Sequence, residues 1–349
     1  MPYGPLLTRQ FGPNPKGSKL TIQEMDDNLL YLSSSITSAG SPFPFTGSAG
    51  ISGSLNVDGT INELQLGIGA GGVSSNIALG QGVLQNNTTG YNNVALGQNA
   101  LFNNTTGNYN VALGQLALQS NTSGSNNVAL ANKALYSNTI GNNNVALGAY
   151  ALYNNTEGNY NIALGDSVLF YNTTGYNNIA LGNSALSSNT TGYNNIALGP
   201  SALSSNTTGY RNVALGYGAL SSNTTGSNNI ALGVGALIFN TTGNYNIALG
   251  GGALYYNTTG NFNVALGKSA LENNTSGSYN VALGFNTQCT DFSGSIVLGA
   301  SADATANGQL SLGSSAFPLG PIVSEVSASS THTLTIRLNG VSYKLLMTQ

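Results

Sequence analysis

The chain has 349 residues, of which only 5% are charged, with 47 Gly, 18 Tyr, no Trp, one Cys and one His. An ordinary soluble domain carries about 25% charge, so water must be met here by Asn, Thr, Ser and Tyr. A net charge of −3 without clustered Lys or Arg excludes a nucleic-acid footprint, and one cysteine excludes an intrachain disulfide framework or a paired-cysteine metal site.

From the N-terminus, residues 1–38 read as an attachment arm followed by a short helix. The opening MPYGPLLTRQ lacks the charged and apolar regions of a secretory signal, and no stretch reaches the ~18 apolar residues of a membrane span. Thr21 and Glu24 have the spacing of a capping box. Behind them Ile22, Met25, Leu29, Leu32 and Ile36 follow a 3, 4, 3, 4 spacing. That is an a/d seam of about two heptads, marginal as a lone helix. Packing of the seam between several chains is expected; an amphipathic helix lying on its own chain is the alternative.

Residues 39–72 read as a β-rich lead-in. Pro and Gly punctuate its first part, and Ile51, Leu55, Val57, Ile61, Leu64, Leu66 and Ile68 then suggest short strands.

Residues 73–293 contain a 17-residue unit written thirteen times, in its fullest form G-Y-N-N-V-A-L-G-x-x-A-L-x-x-N-T-T, as in Gly90–Thr106. A fixed short period without insertions marks a solenoid whose units stack on one another. In Val94-Ala95-Leu96 the side chains alternate between faces. The larger Val94 and Leu96 are expected inside, with Gly97 at a corner. A second short strand is expected at Ala100–Leu101, with Leu101 inward. The Asn column from Asn87 to Asn274 should form a hydrogen-bonded ladder at a turn.

The Ala column is then predicted to face outward: Ala78, Ala95, Ala112, Ala129, Ala146, Ala163, Ala180, Ala197, Ala214, Ala231, Ala248, Ala265 and Ala282. A water-facing column would drift to Ser, Thr or Lys, so invariable smallness suggests close packing against another chain. The alternative is a flattened coil in which Ala95 and Ala100 fill its own thin core. Tyr91, Tyr109, Tyr160, Tyr176, Tyr193, Tyr210, Tyr245 and Tyr279 occupy the two places after the unit glycine. They are expected to pack corner on corner, with a sugar-stacking ladder as the functional alternative.

Residues 294–317 read as degenerate capping units, Ile296–Gly299 and Leu310–Gly313. Residues 318–349 read as a β-hairpin tip, because Asn339-Gly340 lies between two alternating apolar runs.

The N-x-A-L-G core resembles the head repeats of trimeric autotransporter adhesins, which are parallel β-rolls. The longer Asn86–Leu101 string, the Gly53–Thr60 and Leu66–Val73 lead-in, and Lys19–Leu29 are similar to phage tail-fibre proteins. Two features of those patterns are not read in these residues: the C-terminal membrane anchor of an autotransporter and the self-cleaving chaperone domain of many fibres. The resemblance implies an all-β, parallel β-solenoid homotrimer with an N-terminal coiled-coil helix and a C-terminal hairpin. It also implies a virion location, attachment through the N-terminus to a baseplate, tail or other fibre protein, and contact with a host surface glycan or receptor. A cellular surface adhesin or filament-forming protein is the alternative, and an ice-binding solenoid using the Thr rows a minor one.

No catalytic constellation can be assembled and no cofactor or metal is expected. His332 alternates with apolar residues on a strand, Cys289 is read as an inert thiol off the core, and Asp291 as a turn residue in the place of the ladder Asn. Glu157, Asp166 and Glu272 are scattered, so a glycosidase carboxylate pair finds no support.

Overall fold

The computed structural model describes residues 66–67, 69–73 and 75–316, together with the backbone of 333–338 and 341–346. The predicted arm, the Ile22–Ile36 seam and most of the lead-in lie outside the described residues.

The repeat forms a parallel β-solenoid with one strand per coil. β1 (Leu66–Gly67) pairs antiparallel with β2 (Ile77–Leu79), Leu66 opposite Leu79. From β2 the strands recur every 17 residues as far as β14 (Val281–Leu283), each three residues long and each parallel and in register with the next. β15 (Ile296–Leu298) and β16 (Leu310–Leu312) continue the same sheet after shorter coils. β17 (Thr333–Leu338) and β18 (Val341–Leu346) form a separate antiparallel hairpin with Leu338 opposite Val341, as the Asn339-Gly340 turn predicts.

Positions in the coil are counted here from the recurring glycine, so that Gly90 is position 1, Ala95 position 6 and Thr106 position 17. Four positions take left-handed backbone in nearly every coil, as in Asn92 (φ 55°), Gly97 (φ 119°), Asn99 (φ 56°) and Leu101 (φ 50°). Gly and Asn tolerate this region readily, and they fill nearly all of position 8 and many of positions 3 and 10. Leucine does not, yet the Leu column from Leu84 to Leu271 holds φ between 48° and 54° throughout. Each such residue costs about 1–3 kcal/mol. Full burial of the side chain offsets this by about 1.5–3 kcal/mol, and the Leu101 carbonyl accepts the Asn104 N–H at 3.1 Å. The segment holding Ala100 and Leu101 is therefore a stacked turn, and the expected second strand is absent among the described residues. Leu101 does face inward, as expected, and Ala100 is buried with it.

The sheet faces the opposite way from the sequence expectation. Ala95, Ala112 and their successors are fully enclosed by their own coil and Ala78 nearly so, whereas Val94 and Leu96 flank the outer face. The interior is already filled by Leu101, Ala100 and the side chains of Asn93 and Asn104. At interior packing density only a methyl fits at the strand centre. The 294–308 coil obeys the same rule in reverse: Val297 replaces the central Ala where Ala302 and Ala304 are the apolar interior residues.

Two buried Asn ladders hold the turns. At position 15 each Nδ2 donates to the preceding Asn Oδ1, as in Asn189 to Asn172 at 2.8 Å, and to the glycine carbonyl three residues on, Gly192 at 3.0 Å. At position 4, from Asn76 to Asn263, the Asn Nδ2 donates to a position-1 glycine carbonyl, while its Oδ1 accepts the next Asn backbone N–H, as in Asn195 to Gly209 and Asn212 to Asn195. Thirteen consecutive Asn from Asn76 to Asn280 make this second ladder recoverable from the 17-residue period alone. The position-1 glycines are required by space: a Cβ on Gly192 would lie closer than 3.0 Å to Asn189 Oδ1, Gly209 O and Asn206 Nδ2.

Candidate interaction surfaces

With Ala inside, the expected inter-chain Ala face does not exist. Ala78, Ala95, Ala112, Ala129, Ala146, Ala163, Ala180, Ala197, Ala214, Ala231, Ala248, Ala265 and Ala282 are core residues of single coils. Their place on the surface is taken by the larger neighbours. Positions 5 and 7 are Val, Ile or Leu in every strand from Ile77–Leu79 to Leu310–Leu312, with no polar residue in either column. Ile77 is 61% exposed and Leu96 41%; the others are half-buried or exposed to a similar degree. At about 4.8 Å per strand the fifteen strands from β2 to β16 make an apolar stripe roughly 70 Å long. Soluble monomers rarely expose contiguous apolar patches beyond a few hundred Å².

The tyrosines form a second surface. Tyr176, Tyr193 and Tyr210 stack in parallel, successive centroids 5.0 Å apart, and Arg211 lies over the Tyr210 ring. Tyr245, Phe262 and Tyr279 form a like stack at 4.9 Å. Tyr91 meets Tyr109 edge on at 5.3 Å, and Tyr160 is exposed. Within the stacks each ring covers its neighbour's face, which is the corner packing expected from the sequence. Their edges and the terminal faces remain for a ligand.

Sequence reasoning passed over a third set of aromatics, at positions 13 and 14. Tyr136, Tyr153 and Phe170 stack at 5.0 and 5.1 Å, and Phe239, Tyr255 and Tyr256 cluster together. Their 17-residue spacing was the available signal.

The Thr row at position 16 is occupied with its own backbone. Thr190 Oγ1 donates to the Thr207 carbonyl at 3.0 Å, and the same bond recurs from Thr88 to Thr258. A row whose hydroxyl protons are all directed along the coil axis lacks the free donors an ordered-water template would use.

Cys289 is fully buried, against the expectation of a position off the core. Burial first, and the Asp303 charge second, push its thiol pKa up to about 12. Asp291 does not stand in for a ladder Asn. Its Oδ1 accepts Thr275 N–H at 2.8 Å, Ser276 N–H at 2.9 Å and Thr275 Oγ1–H at 2.7 Å. In regular coils those donors go to a position-16 carbonyl, as Thr105 N–H, Thr106 N–H and Thr105 Oγ1–H go to Thr122 O. The carboxylate thus replaces a backbone carbonyl that the shortened coil lacks.

Among the described residues no three His, Cys, Asp or Glu side chains gather as a metal site, and no helix is long and apolar enough to cross a membrane. Comparison with protein-family models, with curated proteins and with solved structures returns no match. What fold and surface define together is a β-solenoid repeat protein with a continuous apolar stripe.

Proposed function

We propose that this chain is the shaft of a homotrimeric fibre or spike on a tailed-phage virion, and that it serves attachment to a host-cell surface glycan. The observation that carries this reading is the outward Val/Ile–Leu stripe. Its period matches itself, so copies of the chain set side by side present the same aliphatic pair at every level of the stack. Three stripes turned toward a common axis would bury one another and leave the Asn, Thr and Tyr corners facing water. The inter-chain contact expected of the Ala column passes, on this reading, to the residues on either side of it. The lack of charge on the stripe agrees with a permanent interface, since obligate interfaces resemble a domain core cut in half.

Light scattering on the purified chain tests the proposal. Three times the chain mass of 35.5 kDa is expected. Replacing Leu181, Leu215 and Leu249 together by Asp should yield smaller species with unchanged far-ultraviolet dichroism. A monomeric wild-type protein would sink the shaft reading.

A further inference from the structure

Position 14 is Ser or Asn in the coils from Asn86 to Asn273, except at Tyr171, Phe239 and Tyr256. Phe239 and Tyr256 are consecutive in this column. Their rings lie parallel within 2° with centroids 5.6 Å apart, and Tyr255 braces both edge on, at 5.3 and 4.8 Å. The column continues through Ser222 on one side and Asn273 on the other, so no third ring closes the pair. Both rings are well exposed, at 41% and 46%. Beside them runs the position-16 row of Thr241, Thr258 and Thr275. Rings, threonines, Ser222 and Asn273 line an open surface groove of about 660 Å³, with no charged side chain in its lining. Aromatic walls beside a few polar groups are the usual composition of small-ligand sites.

The hydrogen bonds define what the groove can accept. Thr241 Oγ1 donates to Thr258 O at 3.1 Å, Thr258 Oγ1 to Thr275 O at 3.0 Å, and Thr275 Oγ1 to Asp291 Oδ1 at 2.7 Å. All three hydroxyl protons are therefore engaged, so toward a ligand these hydroxyls can act only as acceptors. The Asn273 backbone N–H is likewise turned to Gln288 Oε1, at 3.3 Å. An anion would find no cation there and few donors. A ligand that fits must bring its own donors and an apolar face for the rings.

We infer that this groove binds a neutral saccharide, its C–H face against Phe239 and Tyr256 and its hydroxyls donating to the threonine oxygens. The inference rests on the attachment role proposed above and names the ligand class and the site within it.

Calorimetric titration of the full chain with short linear neutral oligosaccharides of glucose, galactose and N-acetylglucosamine, and with uronic-acid and sialylated counterparts, tests it. At least one neutral oligosaccharide should bind and the acidic ones should not. Phe239→Ser combined with Tyr256→Ser should weaken binding about tenfold or more, whereas Tyr193→Ser should leave it unchanged. Serine already stands at position 14 in neighbouring coils, so the double variant should keep its fold. Should it unfold, nitration of Tyr256 in the wild-type protein supplies a second measurement: the saccharide should slow it relative to exposed Tyr171. No neutral binding, preference for acidic sugars, undiminished binding by a folded double variant, or no protection of Tyr256 would each overturn the site. Light scattering on the same samples judges the shaft separately, since a monomer that binds sugar through these rings refutes the trimer and keeps the groove.

Discussion

The regular coils before Ser276 and the shortened ones after it are built from the same strand but closed differently. In the regular coils the position-15 Asn and the position-16 Thr side chains have partners one repeat away: Asn bonds Asn, and Thr bonds the next Thr carbonyl. After Asn274 that reciprocity ends. Asn274 Oδ1 is buried without a hydrogen-bond partner, Asp291 substitutes for a carbonyl, and Gln309 Oε1 accepts the N–H groups of Thr305 and Ala306. The difference shows that the repeat is held by relations between coils more than by any coil's own propensity. One-dimensional stacks behave in this way, with nearest-neighbour contacts supplying the stability.

The largest break in this comparison should come from glycine. Gly192→Ala drives a methyl into both the Asn ladder and the next glycine carbonyl, where neither neighbour is the end of a flexible chain. A loss of about 4 kcal/mol or more is expected. Gly308→Ala, in the shortened region, meets nothing within 4 Å and suffers only from φ +67°, worth about 1–2 kcal/mol. Denaturant melts of the two variants compare them directly. Similar losses would mean that inter-coil space is not what selects glycine.

Asparagine gives the next effect. Asn189→Ala removes two donated bonds and strands the Asn172 Oδ1, so about 2–4 kcal/mol should be lost. Asn274→Ala removes the same kind of donors but also eliminates an oxygen that was already unpaired. Its cost should be roughly half as large. Equal destabilisation in thermal melts would show that the ladder's end is satisfied in some other way.

These residues also show what was legible beforehand. The 17-residue period, the corner glycines, the Asn87–Asn274 ladder and the pairing of β17 with β18 follow from spacing and turn chemistry, and the structure contains them. The orientation of the strand does not follow from alternation alone. Val-Ala-Leu defines two faces, and hydrophobicity favours the larger pair inside. Volume decides otherwise, because Leu101 enters from a left-handed turn and fills the coil. A leucine at φ 50° is contrary to its own propensity, so nothing in the residue type announces it. The Val297 substitution displays the volume rule in the sequence: its coil has Ala302 at the place of Ala100 but Asp303 where the regular coils carry Leu. Cys289 was misplaced for a related reason: a shortened coil shifts its register, and counting by 17 no longer locates the interior.

Thiol labelling probes the shortened region more gently. With its pKa raised to about 12 and no exposure, Cys289 should react at least about a hundredfold more slowly than in the unfolded chain near neutral pH. Denaturant below the global transition should speed the reaction, because end coils open before central ones. Labelling that waits for global unfolding would make the terminal coils as firm as the rest.

The smallest effect belongs to Asp291. Partial burial alone would raise its carboxyl pKa. The Thr275 hydroxyl and the N–H groups of Ser276, Thr275 and Gly277 outweigh that and hold it below the usual carboxylate value. A depressed folded pKa means that folding favours the ionised form. Its contribution is therefore complete above the ordinary carboxylate pKa of about 3.9 and disappears as pH falls through the lowered folded value. The group is exposed, so solvent screening keeps the contribution below about 1 kcal/mol. Asp291→Asn retains an accepting oxygen but not the charge. The difference in melting temperature between wild type and variant should be constant from neutral pH to about 5 and shrink below about 4. A difference that persists in acid would assign the wild type's advantage to shape, and the carboxylate would then be only a spacer where a carbonyl is missing.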